Sequence, residues 1–128
     1  MTHVKYYPVT RKRYSGYNAD NTWTPAVDVI EHTDGFILEI DLPGFKKNDF
    51  TLTVKEGVLT VSGERKSEKP ADDKLYRYYE RPYGVFERSF KLPELVEHDN
   101  IKASYKNGVL KLNFQKKEET KPRSIHIV

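Results

Sequence analysis

Hydrophobic and polar residues alternate along most of the chain with a period of two, which is typical of β-strands. Residues 36–45 are the clearest example, because their apolar side chains share one face of a strand: Phe36, Leu38, Ile40 and Leu42. Glu39 and Asp41 lie on the opposite face, and Pro43–Gly44 ends the segment. Side chains two apart along a strand point the same way, so we expect one buried face and one solvated face.

Two further segments are predicted to be β-hairpins. Residues 50–64 alternate in the same way around a turn at Glu56–Gly57. Residues 101–117 do so around Asn107–Gly108, the dipeptide that most favours a two-residue hairpin turn. With strands in 24–31 and 85–93, the pattern predicts at least seven short strands and no long amphipathic helix. The predicted fold class is all-β, most economically a two-sheet antiparallel β-sandwich.

The interval 66–84 is far longer than a hairpin loop. Its first part, KSEKPADDK, is loop-like, whereas the second part, LYRYYERPYG, alternates as a strand does. A strand inside a long loop can pair with a remote sheet edge, including the edge of another subunit. The alternative is an ordered functional loop that stays on its own subunit.

Composition bounds the class of protein. The chain has 128 residues, enough for one domain with a single core. It has no cysteine, so disulfides and thiolate metal sites are excluded and a reducing compartment fits best. No apolar stretch follows the first charges and no apolar run has membrane length, so we expect neither a secretory signal nor a membrane partner. With 32% charged residues, a soluble cytoplasmic protein is predicted.

The net charge is +3, and the basic excess lies in residues 1–25. Four cations there oppose a single acid, Asp20: Lys5, Arg11, Lys12 and Arg13. A basic arm that carries tyrosines can bind nucleic acid through phosphate contacts and base stacking. Four positive charges over 25 residues are few for binding nucleic acid. A solvated or assembly arm is therefore favoured, and no nucleic acid is expected as a partner.

No pattern of catalytic or metal-binding residues is recognisable. The four histidines are scattered without metal-ligand spacing. Glu39 and Asp41 lie along one strand, whereas general acid–base catalysis needs carboxylates that converge in a cleft. No glycine-rich phosphate loop, nucleophile elbow or Ser-His-Asp order is visible. We expect a non-enzyme without cofactor or metal, and an unrecognised hydrolase is the alternative.

The stretch ASYKNGVLKL resembles the A-x-x-x-n-G-V-L signature of the α-crystallin domain of small heat-shock proteins. The signature positions are Ala103, Asn107, Gly108, Val109 and Leu110. The order of the surrounding segments is also similar to that family: WTPAVDVIE, LEIDLPGF, TVKEGVLTVSGER and GVFERSFKLP, covering about Trp23 to Lys116. The final SIHIV resembles the family's C-terminal I-x-I motif, with Ile125 and Ile127 as its two anchors.

This resemblance, to the bacterial and plant type of the family, implies an immunoglobulin-like sandwich that acts as an ATP-independent chaperone for unfolding client proteins. The implied divisions are an N-terminal arm (1–22), the α-crystallin-type domain (23–116) and a flexible tail (117–128). It also implies homodimers, and from them higher homo-oligomers, in which a strand of the loop crosses to the partner's sheet. The residues implied at that exchange strand and interface are Leu75, Tyr76, Arg77, Tyr78, Tyr79 and Arg88.

Arg88 has the strand parity of Phe86 and Phe90, so a charge appears on an otherwise apolar face. A charge in that position needs a carboxylate or carbonyl partner. We expect a contact across the dimer to supply it.

The resemblance further implies that Ile125 and Ile127 insert into a groove of another subunit, at the open edge between two strands. The groove residues are Leu52, Val54, Ile101, Ala103 and Tyr105, and their strand parity permits a single trough. The same groove is expected to take clients when the tail leaves. One alternative is that SIHIV packs on its own domain as a final strand. Another is a monomeric co-chaperone-like interaction module without holdase activity.

Overall fold

A computed structural model describes residues 16–66, 80–118 and 124–128 of the chain. The described residues form seven strands, all paired antiparallel, and no α-helix. The strands are β1 (Val27–His32), β2 (Gly35–Asp41), β3 (Phe50–Lys55), β4 (Val58–Arg65), β5 (Gly84–Lys91), β6 (Lys102–Lys106) and β7 (Val109–Gln115). The predicted all-β sandwich is confirmed.

The strands form two sheets with their apolar faces together. One sheet has the order β1-β2-β7-β6 and the other β3-β4-β5. The core between them holds these buried side chains: Trp23, Leu38, Ile40, Leu42, Phe45, Leu59, Val61, Phe86, Leu92, Val96, Leu110, Leu112 and Phe114. Leu38 pairs with Leu112 and Ile40 with Leu110 across β2 and β7. The period-two pattern therefore predicted the buried face of these strands.

Both predicted hairpin turns are present. Glu56 and Gly57 have φ values of 51° and 74°, and Asn107 and Gly108 have 55° and 77°. A two-residue turn with positive φ at both positions matches the right-handed twist of the flanking strands, and Asn-Gly adopts it at low cost. The turns hold β3 against β4 and β6 against β7.

The chain segment before β1 fastens onto the start of β5. The Tyr17 hydroxyl donates to the carbonyl of Tyr83 at 2.9 Å and accepts from its N–H at 2.8 Å. Trp23 is 3% exposed, and its Nε1 donates to the carbonyl of Gly84 at 2.9 Å. Its own N–H donates to the carbonyl of Val85 at 3.1 Å. The packed structure therefore includes residues that precede β1.

The sandwich is open at two edges, because the edge strands of one sheet form no hydrogen-bonded pairs with the edge strands of the other. At one edge, β3 of one sheet lies beside β6 of the other, and at the opposite edge β1 lies beside β5. Each edge has an apolar opening that leads toward the core. Four of the predicted site residues line the first of these openings: Leu52, Ala103, Tyr105 and Leu110.

Candidate functional site

The first opening, the β3–β6 groove, has a volume of about 300 Å³. It is lined by Lys47, Phe50, Leu52, Ala103, Ser104, Tyr105 and Leu110. Leu52 pairs with Val61 across β3 and β4, and Ala103 pairs with Leu112 across β6 and β7. Both side chains therefore point toward the space between the sheets. The small side chain of Ala103 leaves room there that a larger residue would fill.

Tyr105 forms a fixed part of the groove wall. Its hydroxyl donates to the carbonyl of Leu42 at 2.5 Å and accepts from the N–H of Phe45 at 3.3 Å. Its ring meets the ring of Phe50 edge to face, with centroids 5.3 Å apart. The side chain has little freedom, because its hydroxyl both donates and accepts a hydrogen bond and its ring packs against another ring.

Three of the five predicted groove residues line this opening: Leu52, Ala103 and Tyr105. Val54 shares the face of Leu52 on β3 but is 39% exposed and lies outside the lining. Ile101 precedes β6, where it is partly buried against the core. Contacts of Val54 and Ile101 with a bound tail stay a prediction.

The terminal aliphatic residues are exposed. Ile125 is 89% exposed and Ile127 is 90% exposed. Residues 124–128 belong to no strand. The alternative in which SIHIV packs on its own domain as a final strand is therefore wrong for this conformation, and the β3–β6 groove is open.

The second opening, the β1–β5 cavity, has a volume of about 370 Å³. It is lined by Val29, Phe36, Leu38, Ser89, Phe90, Lys91, Leu92, Pro93, Val96 and Phe114. Val29 pairs with Leu38 across β1 and β2, so it points toward the core although it is 58% exposed. An aliphatic side chain at the rim of an apolar cavity, on an edge strand, is typical of a surface that another chain covers.

Arg88 lies beside this cavity, on the inward side of β5. Its Nη1 donates to the carbonyl of Pro25 at 3.0 Å, and its guanidinium carbon lies 5.5 Å from the centre of the Phe90 ring. A carbonyl partner was expected from a dimer contact, and Pro25 of the same chain supplies one. A role of Arg88 in the dimer interface stays a prediction. Residues 75–79, predicted to form the exchange strand, lie outside the described residues.

The signature residues have separate structural roles. Ala103 lines the groove, Val109 pairs with Lys106, and Leu110 is buried. Asn107 and Gly108 make the turn. A Cβ at Gly108 would lie 3.1 Å from the Cα of Pro43, and the N–H of Leu42 donates to the carbonyl of Gly108 at 2.8 Å. This glycine therefore serves both the turn and a close backbone approach.

Arg65 is a site residue that the sequence reasoning missed. It has the inward parity of Leu59 and Val61 on β4, which was the available signal. Its guanidinium lies 4.9 Å from the centre of the Phe45 ring and 5.2 Å from that of Trp23. Burial lowers the pKa of this guanidinium, and the nearby positive charge of Arg81 lowers it further.

Within the three described ranges, no three acidic or histidine side chains converge as metal ligands would. The same part of the chain contains no helix that is long and apolar enough to cross a membrane. The two open edges offer apolar contact, together with backbone hydrogen bonding along the edge strands.

The Hsp20/alpha crystallin family model matches residues 28–128 of the chain. Among curated relatives, the spore protein SP21 of Stigmatella aurantiaca is 39% identical over 105 residues, which cover 82% of this chain and 62% of the relative. Small heat shock protein C2 of Rickettsia felis is 35% identical over 103 residues, covering 80% of this chain and 67% of the relative. The chain thus spans only about 62% of the first of these relatives.

Among solved structures, a small heat-shock protein from Xylella fastidiosa with a distinct high order structure is similar to this chain. It has a TM-score of 0.71 and 37% identity, covering 84% of this chain and 98% of that chain. Heat shock protein 16.0 from Schizosaccharomyces pombe has a TM-score of 0.70 and 31% identity, covering 82% and 97%. Both matches include most of the sandwich described above.

Proposed function

Because the chain belongs to the Hsp20/alpha crystallin family, we propose that it is an ATP-independent holdase chaperone that binds unfolding proteins and prevents their aggregation. One observation carries the proposal: the β3–β6 groove is open while Ile125 and Ile127 are about nine-tenths exposed. The chain thus has both an apolar receptor and an apolar anchor. The proposed location is the cytoplasm.

In the proposed assembly, Ile125 and Ile127 of one subunit insert into the β3–β6 groove of another. Residues two apart on an extended segment point the same way, so both side chains enter one trough while His126 faces outward. Burying each isoleucine contributes about 1.5–3 kcal/mol. Ordering the tail costs about 1–2 kcal/mol per residue. A single contact is therefore weak, whereas many contacts in a closed oligomer reinforce one another.

The proposed dimer forms at the opposite edge. β1 is an edge strand whose outer side has no partner in the described sheet, and the β1–β5 cavity lies beneath it. A strand from the 66–84 segment of a second copy would continue the sheet there and cover the rim at Val29. The open edge and the cavity support this arrangement, in which Arg88 lies beside the interface.

Clients would bind the surfaces that assembly covers. A partly unfolded protein exposes apolar side chains, and a groove vacated by a tail can bury them without sequence preference. Such capture is driven by apolar burial and requires no nucleotide. The high order structure of the Xylella fastidiosa relative is in keeping with a proposed oligomer for this chain.

The chaperone activity is tested by heating malate dehydrogenase with the full chain, without ATP, and following light scattering. We expect the chain to suppress the scattering. A monomer that leaves the scattering unchanged would instead favour the co-chaperone-like interaction module.

The tail contact is tested by measuring the assembly mass of an Ile125→Ala/Ile127→Ala variant. We expect dimers in place of larger oligomers. A Ser124→Ala/His126→Ala variant is the matched control, because those side chains point away from the trough, and its mass should equal that of the parent. An unchanged mass in the isoleucine variant would refute the tail contact.

A further inference from the structure

Arg65 ends β4 on the inward side of the sheet and is only partly exposed. Buried charges usually find a carboxylate partner. Here the guanidinium donates to two backbone carbonyls, from Nη1 to that of Pro82 at 3.1 Å and from Nη2 to that of Pro43 at 2.5 Å. The guanidinium carbon also lies over two aromatic rings, those of Trp23 and Phe45. An arginine in such a setting acts as a connector of segments.

The segments that Arg65 connects are far apart in the sequence. The ring of Trp23 belongs to the segment before β1, where the arm joins the domain. The carbonyl of Pro82 belongs to the end of the 66–84 interval, just before β5. Pro43 and Phe45 belong to residues 42–45, the first part of the connection between β2 and β3, which we call the 42–45 turn. One side chain therefore contacts the arm root at Trp23, the loop base at Pro82 and the 42–45 turn.

The 42–45 turn is also the support of the groove wall. The Tyr105 hydroxyl is bound to the carbonyl of Leu42 and to the N–H of Phe45, at the two ends of the turn. Tyr105 lines the β3–β6 groove, whereas Arg65 does not. The turn is thus held between Arg65 on one side and Tyr105 on the other.

We propose that Arg65 is a positioning residue for the tail groove: by fixing the 42–45 turn, it holds Tyr105 where the groove can receive Ile125 and Ile127. The inference rests on the proposed function, because it assigns a role toward the same groove. It also links the 42–45 turn, which supports the groove wall, to the arm root and the loop base, since one guanidinium contacts all three.

Arginine suits this role better than lysine because its donors form a rigid planar fork. The fork donates to two carbonyls while its central carbon lies over the Phe45 and Trp23 rings. A lysine ammonium is a compact point charge that cannot reproduce both hydrogen bonds together with the ring contacts. With lysine, the turn loses one fixed end and the Tyr105 hydroxyl loses its fixed partners.

The test uses the full chain with Ile125→Ala/Ile127→Ala, so that its own tails leave the grooves vacant. A fluorescent peptide of residues 121–128, KPRSIHIV, is titrated and its anisotropy is measured. Arg65→Lys is expected to weaken peptide binding about three- to tenfold, the range of a coupling carried through packed contacts. Arg81→Lys is the matched control, a neighbouring exposed arginine, and should leave the affinity unchanged.

A double-mutant cycle with Tyr105→Phe tests whether the effect passes through the 42–45 turn. The phenylalanine keeps the ring and removes both hydroxyl hydrogen bonds. If Arg65 acts through Tyr105, the double variant should bind hardly more weakly than the weaker-binding single variant. A purely structural role of Arg65 would lower the melting temperature and leave the peptide affinity of the folded protein unchanged.

Two results would overturn the inference while sparing the proposed function. One is equal peptide affinity of Arg65→Lys and its parent. The other is a double variant whose loss of affinity equals the product of the losses in Arg65→Lys and Tyr105→Phe. No peptide binding by the parent would instead refute the tail groove, and the inference with it. Should Arg65→Lys fail to fold, Phe45→Leu removes one ring beneath the guanidinium and is expected to weaken binding in the same direction. Unchanged affinity in that variant would also overturn the inference.

Discussion

The two open edges of the sandwich differ in volume and lining. The β3–β6 groove is smaller, about 300 Å³ against about 370 Å³, and it includes Lys47, Ser104 and the bound hydroxyl of Tyr105. The lining of the β1–β5 cavity also includes one serine and one lysine, Ser89 and Lys91, but its other eight residues are apolar. A short segment with two aliphatic side chains suits the β3–β6 groove, whereas a longer segment that covers more apolar surface suits the β1–β5 cavity.

This difference indicates a hierarchy in the proposed assembly. A contact limited to two isoleucines balances burial against the ordering of a tail, so it forms and breaks readily. A contact that adds a strand to β1 and covers the rim at Val29 gains backbone hydrogen bonds as well as apolar burial. We therefore expect the β1 edge to hold dimers that persist when the groove contacts are lost.

The largest expected effect comes from Val29→Asp, which places a carboxylate at the rim of the β1–β5 cavity. Burying an unpaired charge in an apolar interface costs several kcal/mol, so the dimer dissociation constant should rise by about 100-fold or more. Analytical ultracentrifugation should show monomers. Ile30→Asp, on the opposite face of the same strand, is the control and should remain dimeric. Dimers of Val29→Asp at low concentration would contradict the assignment of this edge.

Leu52→Asp should disrupt only the other edge. Leu52 lines the β3–β6 groove and is partly exposed, so the fold should tolerate the substitution. Loss of its apolar contact and the added charge should remove about 2–3 kcal/mol from each tail contact. Light scattering after gel filtration should give twice the chain mass of 15.0 kDa. Thr53→Asp, its neighbour on the other face, should keep the larger assembly. Full-size oligomers of Leu52→Asp would show that tails bind elsewhere.

Gly108→Ala tests the hairpin that presents β6. Its φ of 77° costs an alanine about 1–2 kcal/mol, and the 3.1 Å approach of a Cβ to Pro43 adds to that cost. Gly57→Ala is the matched control, with a φ of 74° and only a side-chain atom of His98 at 3.6 Å. Urea unfolding should show the larger loss for Gly108→Ala. The KPRSIHIV affinity should fall only in that variant, and equal losses would contradict the role of Pro43.

The smallest expected effect is that of Glu31→Gln at the β1 edge. Glu31 Oε2 lies 3.3 Å from Lys116 Nζ, and the pair is solvent-exposed on the glutamate side. Exposed ion pairs contribute about 0–1 kcal/mol and are screened by salt. Urea unfolding should therefore show a small loss at low salt that disappears at high salt. Asp28→Asn on the same strand serves as the control, and a loss that persists at high salt would contradict this interpretation.

Much of the fold could be predicted from the sequence because its signals are local. Alternation placed Leu38 and Ile40 on a buried face, and Asn107–Gly108 predicted a turn that the structure contains. Leu52, Ala103 and Tyr105 were assigned to one groove from resemblance and parity, and they do line one opening. The buried faces and the turn depend on spacing along one strand or hairpin, whereas the groove joins strands of two sheets and was predicted from the resemblance.

Features that depend on distant segments were missed. The hydrogen bond from Arg88 to the carbonyl of Pro25 of the same chain was not predicted, and its role in a dimer interface stays a prediction. Arg65 drew no attention, although its parity on β4 was visible. Its contacts come from separate parts of the chain: Pro82, Pro43 and the ring of Trp23. Contacts between distant segments leave no pattern in the local sequence.

The sequence by itself determined which segments are strands, which face of each is apolar and where two hairpins turn, because backbone preference and alternation act over a few residues. Only the tertiary structure decided that both edges of the sandwich stay open, that Ile125 and Ile127 lie away from their own domain, and that one arginine joins the arm root to the groove wall. The physical reason is that these properties arise where two sheets meet, from contacts between residues tens of positions apart.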